Sequence, residues 1–405
     1  MAQWRWWLIV FGLPSIEPIY MDYAATTPVD AAVTTAMASC LELDGDFGNA
    51  SSTHVFGAAA ADRVAKATQQ LAASLNAKPA DLVWTSGATE SDNLAIIGAA
   101  RYRKDEGRHL ITARTEHKAV VDAFRYLERE GFDVTWLNPE PNGLISPAAV
   151  ESALRPDTTL VSIMWVNNEL GTINDIAAMA QLLSSHPALF HVDAAQAFGK
   201  LPIDVQAVPI DLLSLTAHKI YGPKGIGALF LAPRLGVNIE PLLYGGGQQN
   251  GRRPGTMPTH QIVGFGAAAD IAMQRMAQDH QTLSILGELL RTRLTSIDGV
   301  SLNGSPSDRL TWLLNVSVDG VDGEALVAAM LPVALATGSA CNSKNTEPSF
   351  VLRAIGLDDQ AAGASLRFSL GRQSTEDDVH RVADHFERVV TRLRQIAGPL
   401  GRVSA

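Results

Sequence analysis

Between residues 80 and 232 seven short apolar runs recur: DLVWTS, HLITA, FDVTWL, TTLVSIMWV, ALFHVDA, DLLSLTA and GIGALFLA. Helical patterns such as ATESDNLAIIGAARYRKD and HKAVVDAFRYLEREG lie between some of them. Short apolar runs bounded by turn residues read as strands buried on both faces. Strands that alternate with helices imply a mostly parallel sheet with helices on both sides. No other feature of the chain restricts its fold as tightly. Gly264–Ile297 reads as one long helix able to link two domains. Beyond it, LLNVSV, SLRFSL and TEDDVHRVADHFERVVTRLRQI suggest a smaller α+β domain.

The length of 405 residues, with 46% hydrophobic and 18% charged side chains, suits two domains with full cores. A formal net charge of −10 argues against direct binding to nucleic acid or to an anionic membrane. Two cysteines, Cys40 and Cys341, make no disulfide framework, and a reducing compartment, the cytoplasm, is expected. The apolar WRWWLIVFGL (Trp4–Leu13) has no cleavage signal after it and is too short to span a bilayer. It is expected to pack on the body of the protein. Cys40, between AAVTTAMAS and LEL, reads as a small packed hydrophobe. Cys341 differs: TGSACNSKN (337–345) surrounds it with small and polar residues, as on a mobile loop.

In open α/β sheets ligands bind outside the carboxyl ends of the strands. Five of the expected strands carry reactive side chains there. Gly87-Ala88-Thr89 follows LVWTS, Thr115-Glu116-His117 follows HLITA, and Asn167-Asn168 follows VSIMWV. LFHV ends in Asp193, three residues before Gln196, and LLSLTA ends in His218-Lys219. SGATESDN offers a glycine turn running into a helix start, a phosphate site, or simply an N-cap at Thr89. Lys219 is either a surface lysine or a partly desolvated amine able to form a Schiff base. Asp193, closing an apolar strand, suits a pyridinium partner. A phosphate site, a Schiff-base lysine and a pyridinium-pairing carboxylate together specify pyridoxal 5'-phosphate (PLP). No metal site is expected.

The stretches YMDYAATTPVD, WTSGATESDN, TEHKAVVD, VNNELGTI, HVDAAQAFGK, AHKIYGPKGIGAL, GGGQQNGRRPGT, TGSACNS and LRFSLGR, in this order, resemble the PLP-dependent cysteine desulfurases of the class V aminotransferase group, in particular the iron–sulfur-assembly type. The resemblance runs from about Ile19 to Leu393. It implies fold type I, with a large PLP-binding domain around a mostly parallel seven-stranded sheet. The implied division is an N-terminal segment 1–28 joining the small domain, a large domain 29–273, and a small domain 274–405 carrying the cysteine loop.

The resemblance also implies roles. Lys219 would hold PLP as a Schiff base, and His117 would stack on the ring and assist proton transfers. Asp193 would pair with the ring nitrogen, and Gln196 would donate to the ring's phenolic oxygen. Thr89 with its neighbour Ala88, Thr216 and His218 would hold the phosphate, joined by Thr256 from the second subunit of a homodimer. Arg367 and Asn168 would take the substrate carboxylate, Asn168 also touching the cofactor. In SLRFSL, Ser365, Arg367 and Ser369 share one strand face, and an arginine fork suits a carboxylate. An arginine on an exposed strand is the plain alternative.

The implied reaction converts L-cysteine to L-alanine and leaves a persulfide on Cys341 for a sulfur-acceptor protein. A selenocysteine lyase, another class V aminotransferase and a catalytically idle docking subunit are the competing readings. Three departures from the family pattern, Ala50, Trp165 and Gln249, are expected to leave the chemistry alone. The chain ends at GPLGRVSA, where relatives that feed iron–sulfur scaffolds continue in a docking tail. Iron–sulfur assembly, tRNA thiolation and DNA phosphorothioation therefore all stay open as destinations of the sulfur.

Overall fold

The computed structural model describes residues 17–234, 237–337 and 348–397. Trp4–Leu13, Cys341 with most of its loop, and the terminal GPLGRVSA lie outside the described residues. The described chain enters through β1 (Ile19–Tyr20), α1 (Ala31–Ala38) and α2 (Val55–Ala73). There follow β2 (Leu82–Thr85), α3 (Ala88–Tyr102), β3 (His109–Ala113), α4 (Lys118–Arg129), β4 (Asp133–Leu137), α5 (Pro147–Ala153), β5 (Thr158–Ser162), α6 (Ile176–Leu183), β6 (Leu189–Asp193), β7 (Leu212–Thr216) and β8 (Gly227–Leu231).

These seven strands, β2 to β8, form one sheet in the order β2-β8-β7-β6-β5-β3-β4. Only β8 runs against the others. The continuous apolar runs of the sequence are explained by burial on both faces. Leu110, Leu160, Leu189, Leu212 and Leu229 pack with Leu94, Ile96 and Phe124 on one side. Their neighbours Ile111, Val161, Phe190, Leu213 and Phe230 pack with Leu71, Met179 and Phe265 on the other. This is the two-residue alternation of a strand with apolar partners on each side. The run TTLVSIMWV is strand only as far as Ser162; the chain then leaves the ladder toward Asn167 and Asn168.

The long helix, α7 (Thr259–Thr295), begins five residues earlier than the sequence suggested. Gly264 and Gly266 read as poor helix formers, yet both lie inside it because neighbours approach closely. A Cβ on Gly264 would stand 2.7 Å from Met37 of α1, and one on Gly266 would stand 2.7 Å from the Ala67 backbone of α2. Beyond α7 come β9 (Val300–Asn303), β10 (Leu313–Val318), α8 (Gly323–Met330), β11 (Val333–Ala334), α9 (Phe350–Ala354), α10 (Asp359–Gly363), β12 (Ser365–Ser369) and α11 (Glu376–Ala397). β12, β10 and β9 form an antiparallel sheet. β1 pairs in parallel with β11, and Ser369 N donates to Met21 O at 2.8 Å. The start of the described chain is therefore stitched to its C-terminal third.

Candidate active site

β2, β3, β5, β6 and β7 all point the same way, so the segments after them gather along one edge of the sheet. A cavity of about 520 Å³ opens there. Ala88, Thr89, His117, Asn168, Asp193, Gln196, Thr216, His218, Lys219 and Arg367 all line it. Of the expected site residues in the described chain, only Thr256 stands apart: it is exposed and away from this cavity. Its loop is nonetheless anchored beside the site. Arg253 Nε donates to Glu90 Oε1 at 2.7 Å, and the Gln249 side chain both accepts from Trp84 N (2.6 Å) and donates to Trp84 O (2.9 Å). Gln249 thus pairs with the backbone of edge strand β2.

At one wall the chain turns from β2 into α3 through Gly87, whose φ of 152° and ψ of 177° belong to a region that side-chain-bearing residues avoid. The amides of Ala88 and Thr89 find no acceptor among the described residues. They are the orphan donors of a helix start and suit an anion. His218 and Lys224 line the same cavity. Burial, followed by the charges of Lys219, Lys224 and Lys200, pushes His218 down to about 4, so its imidazole is neutral at physiological pH.

Lys219 leaves β7 in a turn and donates from Nζ to Ala24 O at 2.9 Å. Asp193, at the end of β6, is 5% exposed, and its Oδ1 accepts from Ala195 N at 2.8 Å. His117 caps α4: its Nδ1 accepts from Ala119 N at 3.2 Å. That bond assigns the proton of the neutral ring to Nε2. Burial lowers the His117 pKa; the Asp193 charge opposes this and Lys219 adds to it. Arg367 on β12 is 6% exposed, which excludes the exposed-strand alternative. Its Nη1 donates to Asn168 O (2.8 Å) and its Nη2 to Asp22 Oδ1 (2.7 Å).

Four residues of the site were given no role by the sequence reading. Asp22 fixes the guanidinium of Arg367. Glu169 lines the cavity, accepts from Ser349 Oγ at 2.5 Å, and is pushed by burial up to about 7. Asp92 and Glu116 are buried behind Asp193. All four sit in the quoted segments YMDYAATTPVD, VNNELGTI, SGATESDN and TEHKAVVD, so motif membership was the available signal. Cys40 is buried, and burial raises its thiol pKa, as suits a packing residue.

Residues 19–382 match the family model described as Aminotransferase class-V. The chain is 50% identical over 381 residues to "Cysteine desulfurase IscS" of Pseudomonas entomophila (strain L48), covering 94% of both chains. The chain belongs to the class-V aminotransferases, among their PLP-dependent cysteine desulfurases. Solved structures agree. A "NIFS-LIKE PROTEIN" is 31% identical, with a TM-score of 0.85 over 93% of this chain and 100% of that one. "SspA in complex with cysteine" is 39% identical, with a TM-score of 0.77 over 88% and 100%. The fold is therefore that of the fold type I PLP enzymes.

The residues of this desulfurase fit PLP. The unpaired amides and surrounding cations suit its phosphate, Lys219 brings an amine, and Asp193 presents a carboxylate in the same cavity.

Proposed function

We propose that this cysteine desulfurase converts L-cysteine to L-alanine and carries the sulfur as a persulfide on Cys341. The convergence of Lys219, Asp193, His117 and Arg367 on one cavity is the observation that carries the reading. Lys219 and Asp193 would hold PLP, with Gln196, Ala88, Thr89, Thr216 and His218 around it. When bound, PLP supplies a sink for the electron pair left on the substrate Cα. The Arg367 fork, with Asn168, receives the substrate carboxylate. The Lys219 amine takes the Cα proton, and His117 Nε2 is placed to move a proton beside it. The Cys341 thiolate attacks the substrate sulfur. The Cβ–S bond breaks, Cβ takes a proton, the proton held by Lys219 returns to Cα, and alanine leaves while the sulfur stays bonded to Cys341.

The flanks of the cysteine loop support this role. Thr337 lines the cavity, and Ser349 is tied to Glu169 in its wall. Cys341 is four residues past Thr337, within about 14 Å of extended chain. We divide the chain into residues 1–28 with 274–405 as the small domain and 29–273 as the large one, a division supported by the β1–β11 pairing. The exposed Thr256 is assigned to the phosphate of a second copy in a homodimer. We place the enzyme in the cytoplasm; no helix among the described residues is long and apolar enough to cross a membrane. The sulfur acceptor is a protein.

Alanine and sulfide release from L-cysteine, measured for wild type and Cys341→Ser, tests the reading. The serine variant should keep the bound cofactor's absorbance and lose sulfide release without added thiols. Full release by that variant would refute the persulfide route.

A further inference from the structure

Lys200 belongs to no part of the chemistry above, yet it touches a residue that does. It lies outside the 520 Å³ cavity and lines a smaller one, of about 40 Å³, on the other side of Lys219, together with Tyr221, Asp279, His280 and Arg372. From there its Nζ donates to Gln196 Oε1 at 2.6 Å. Gln196 Nε2 donates to Ala24 O at 2.8 Å, the same carbonyl that accepts from Lys219 Nζ at 2.9 Å. The two ends of a glutamine amide are alike in shape but opposite in hydrogen bonding. A lysine ammonium has only donors, so it takes the oxygen end and turns the N–H end away. Burial, then the charges of Lys219 and Arg367, depress Lys200 to about 7. Charged or neutral, it donates.

We propose that Lys200 is a positioning residue that aims the Gln196 amide N–H at the ring oxygen of the cofactor. The inference rests on the assignment of Gln196 made above. A donor at that oxygen stabilises its anionic form, so losing the donor raises the pH at which the bound cofactor's visible absorbance changes.

The experiment is a pH titration of that absorbance in holoenzyme carrying Lys200→Met, Lys200→Arg, Gln196→Ala, and Lys200→Met with Gln196→Ala. Lys200→Met should raise the midpoint by about one unit, the scale of one lost hydrogen bond. It should weaken PLP binding about fivefold. Lys200→Arg, which keeps the donors, should restore the midpoint. In the Gln196→Ala background, Lys200→Met should add no shift. If Gln196→Ala alone leaves the midpoint in place, the assignment of Gln196 fails. If Gln196→Ala moves it while Lys200→Met does not, or if Lys200→Met adds its full shift to Gln196→Ala, the positioning role is overturned. Should Lys200→Met not fold, Lys200→Leu is read in the same way.

Discussion

Replacing Glu169 by glutamine should make the protein less sensitive to rising pH. Glu169 is 6% exposed, and burial lifts its carboxyl from an ordinary value of 4.5 to about 7, against the opposing pull of the Ser349 hydroxyl and the Arg367 charge. A folded-state pKa above the unfolded one stabilises the fold while both states are protonated. That contribution is full below pH 4.5 and is lost as pH rises through about 7. A displacement of this size corresponds to about 3 kcal/mol as an upper bound, and water reaching the cavity reduces it to roughly 1–3 kcal/mol. Glutamine keeps an oxygen to accept from Ser349 Oγ and has no charge to bury. The thermal midpoint of Glu169→Gln should therefore match wild type at pH 4.5 and exceed it at pH 8 by several degrees, at about 2 °C per kcal/mol. Comparing the two proteins at both pH values cancels other titrating groups. Parallel pH dependences for variant and wild type would refute the argument that Glu169 is held neutral by burial.

Arg367→Lys keeps a positive charge but loses the planar fork and the bonds to Asn168 O and Asp22. KM for L-cysteine should rise about 10- to 100-fold, the scale of a charged hydrogen bond, with the cofactor's absorbance unchanged. Steady-state alanine release measures it. Gly87→Ala puts a side chain at φ 152°, where a Cβ would meet no protein atom within 4 Å, so the cost is backbone strain of about 1–3 kcal/mol. PLP affinity, followed by absorbance titration of the apoenzyme, should fall about 5- to 100-fold.

The sheet and the gathering of the candidate residues at its edge were legible because one physical rule joins them. Five strands running the same way must deliver the segments after them to one edge, so Thr89, His117, Asn168, Asp193 and Lys219 are neighbours wherever the strands are read correctly. Asp22 was not legible as the partner of Arg367: 345 residues separate them, and only the docking of β1 on β11 brings them together. The start of α7 was read five residues late because Thr259, His260 and Gln261, which follow Pro258, show no apolar helical repeat. Gln249 was set aside as remote from the chemistry. It makes no contact with the cavity, but by pairing with Trp84 it holds the loop of Thr256 to the strand that leads into Gly87.

The acids around the site bear on the proposed pairing of Asp193 with the ring nitrogen. Among the described residues three carboxyl groups line the cavity: Glu90, Glu169 and Asp193. Burial opposes ionisation of Glu90, but hydrogen bonds from Arg253 and Ser86 hold its pKa below the usual range, and its charge is committed to them. Glu169 is neutral over the acid range. Behind Asp193, neither oxygen of Asp92 has a hydrogen-bond partner among the described residues, and one oxygen of Glu116 has none. Burial, and then the Asp193 charge, push Asp92 well up; burial does the same to Glu116, whose remaining oxygen accepts from Met164 N. The ring of His191, 3.7 Å from Asp92, is engaged by Ser162 and Ser214 and pushed by burial down to about 3. That contact therefore involves a neutral imidazole and is no ion pair. Burial is the larger cause for both acids, and the proximity of Asp193 adds to it. Of the three cavity carboxyl groups, Glu90 is committed to Arg253 and Glu169 to Ser349, which leaves Asp193, held by Ala195 N, as the one proposed to face the ring nitrogen.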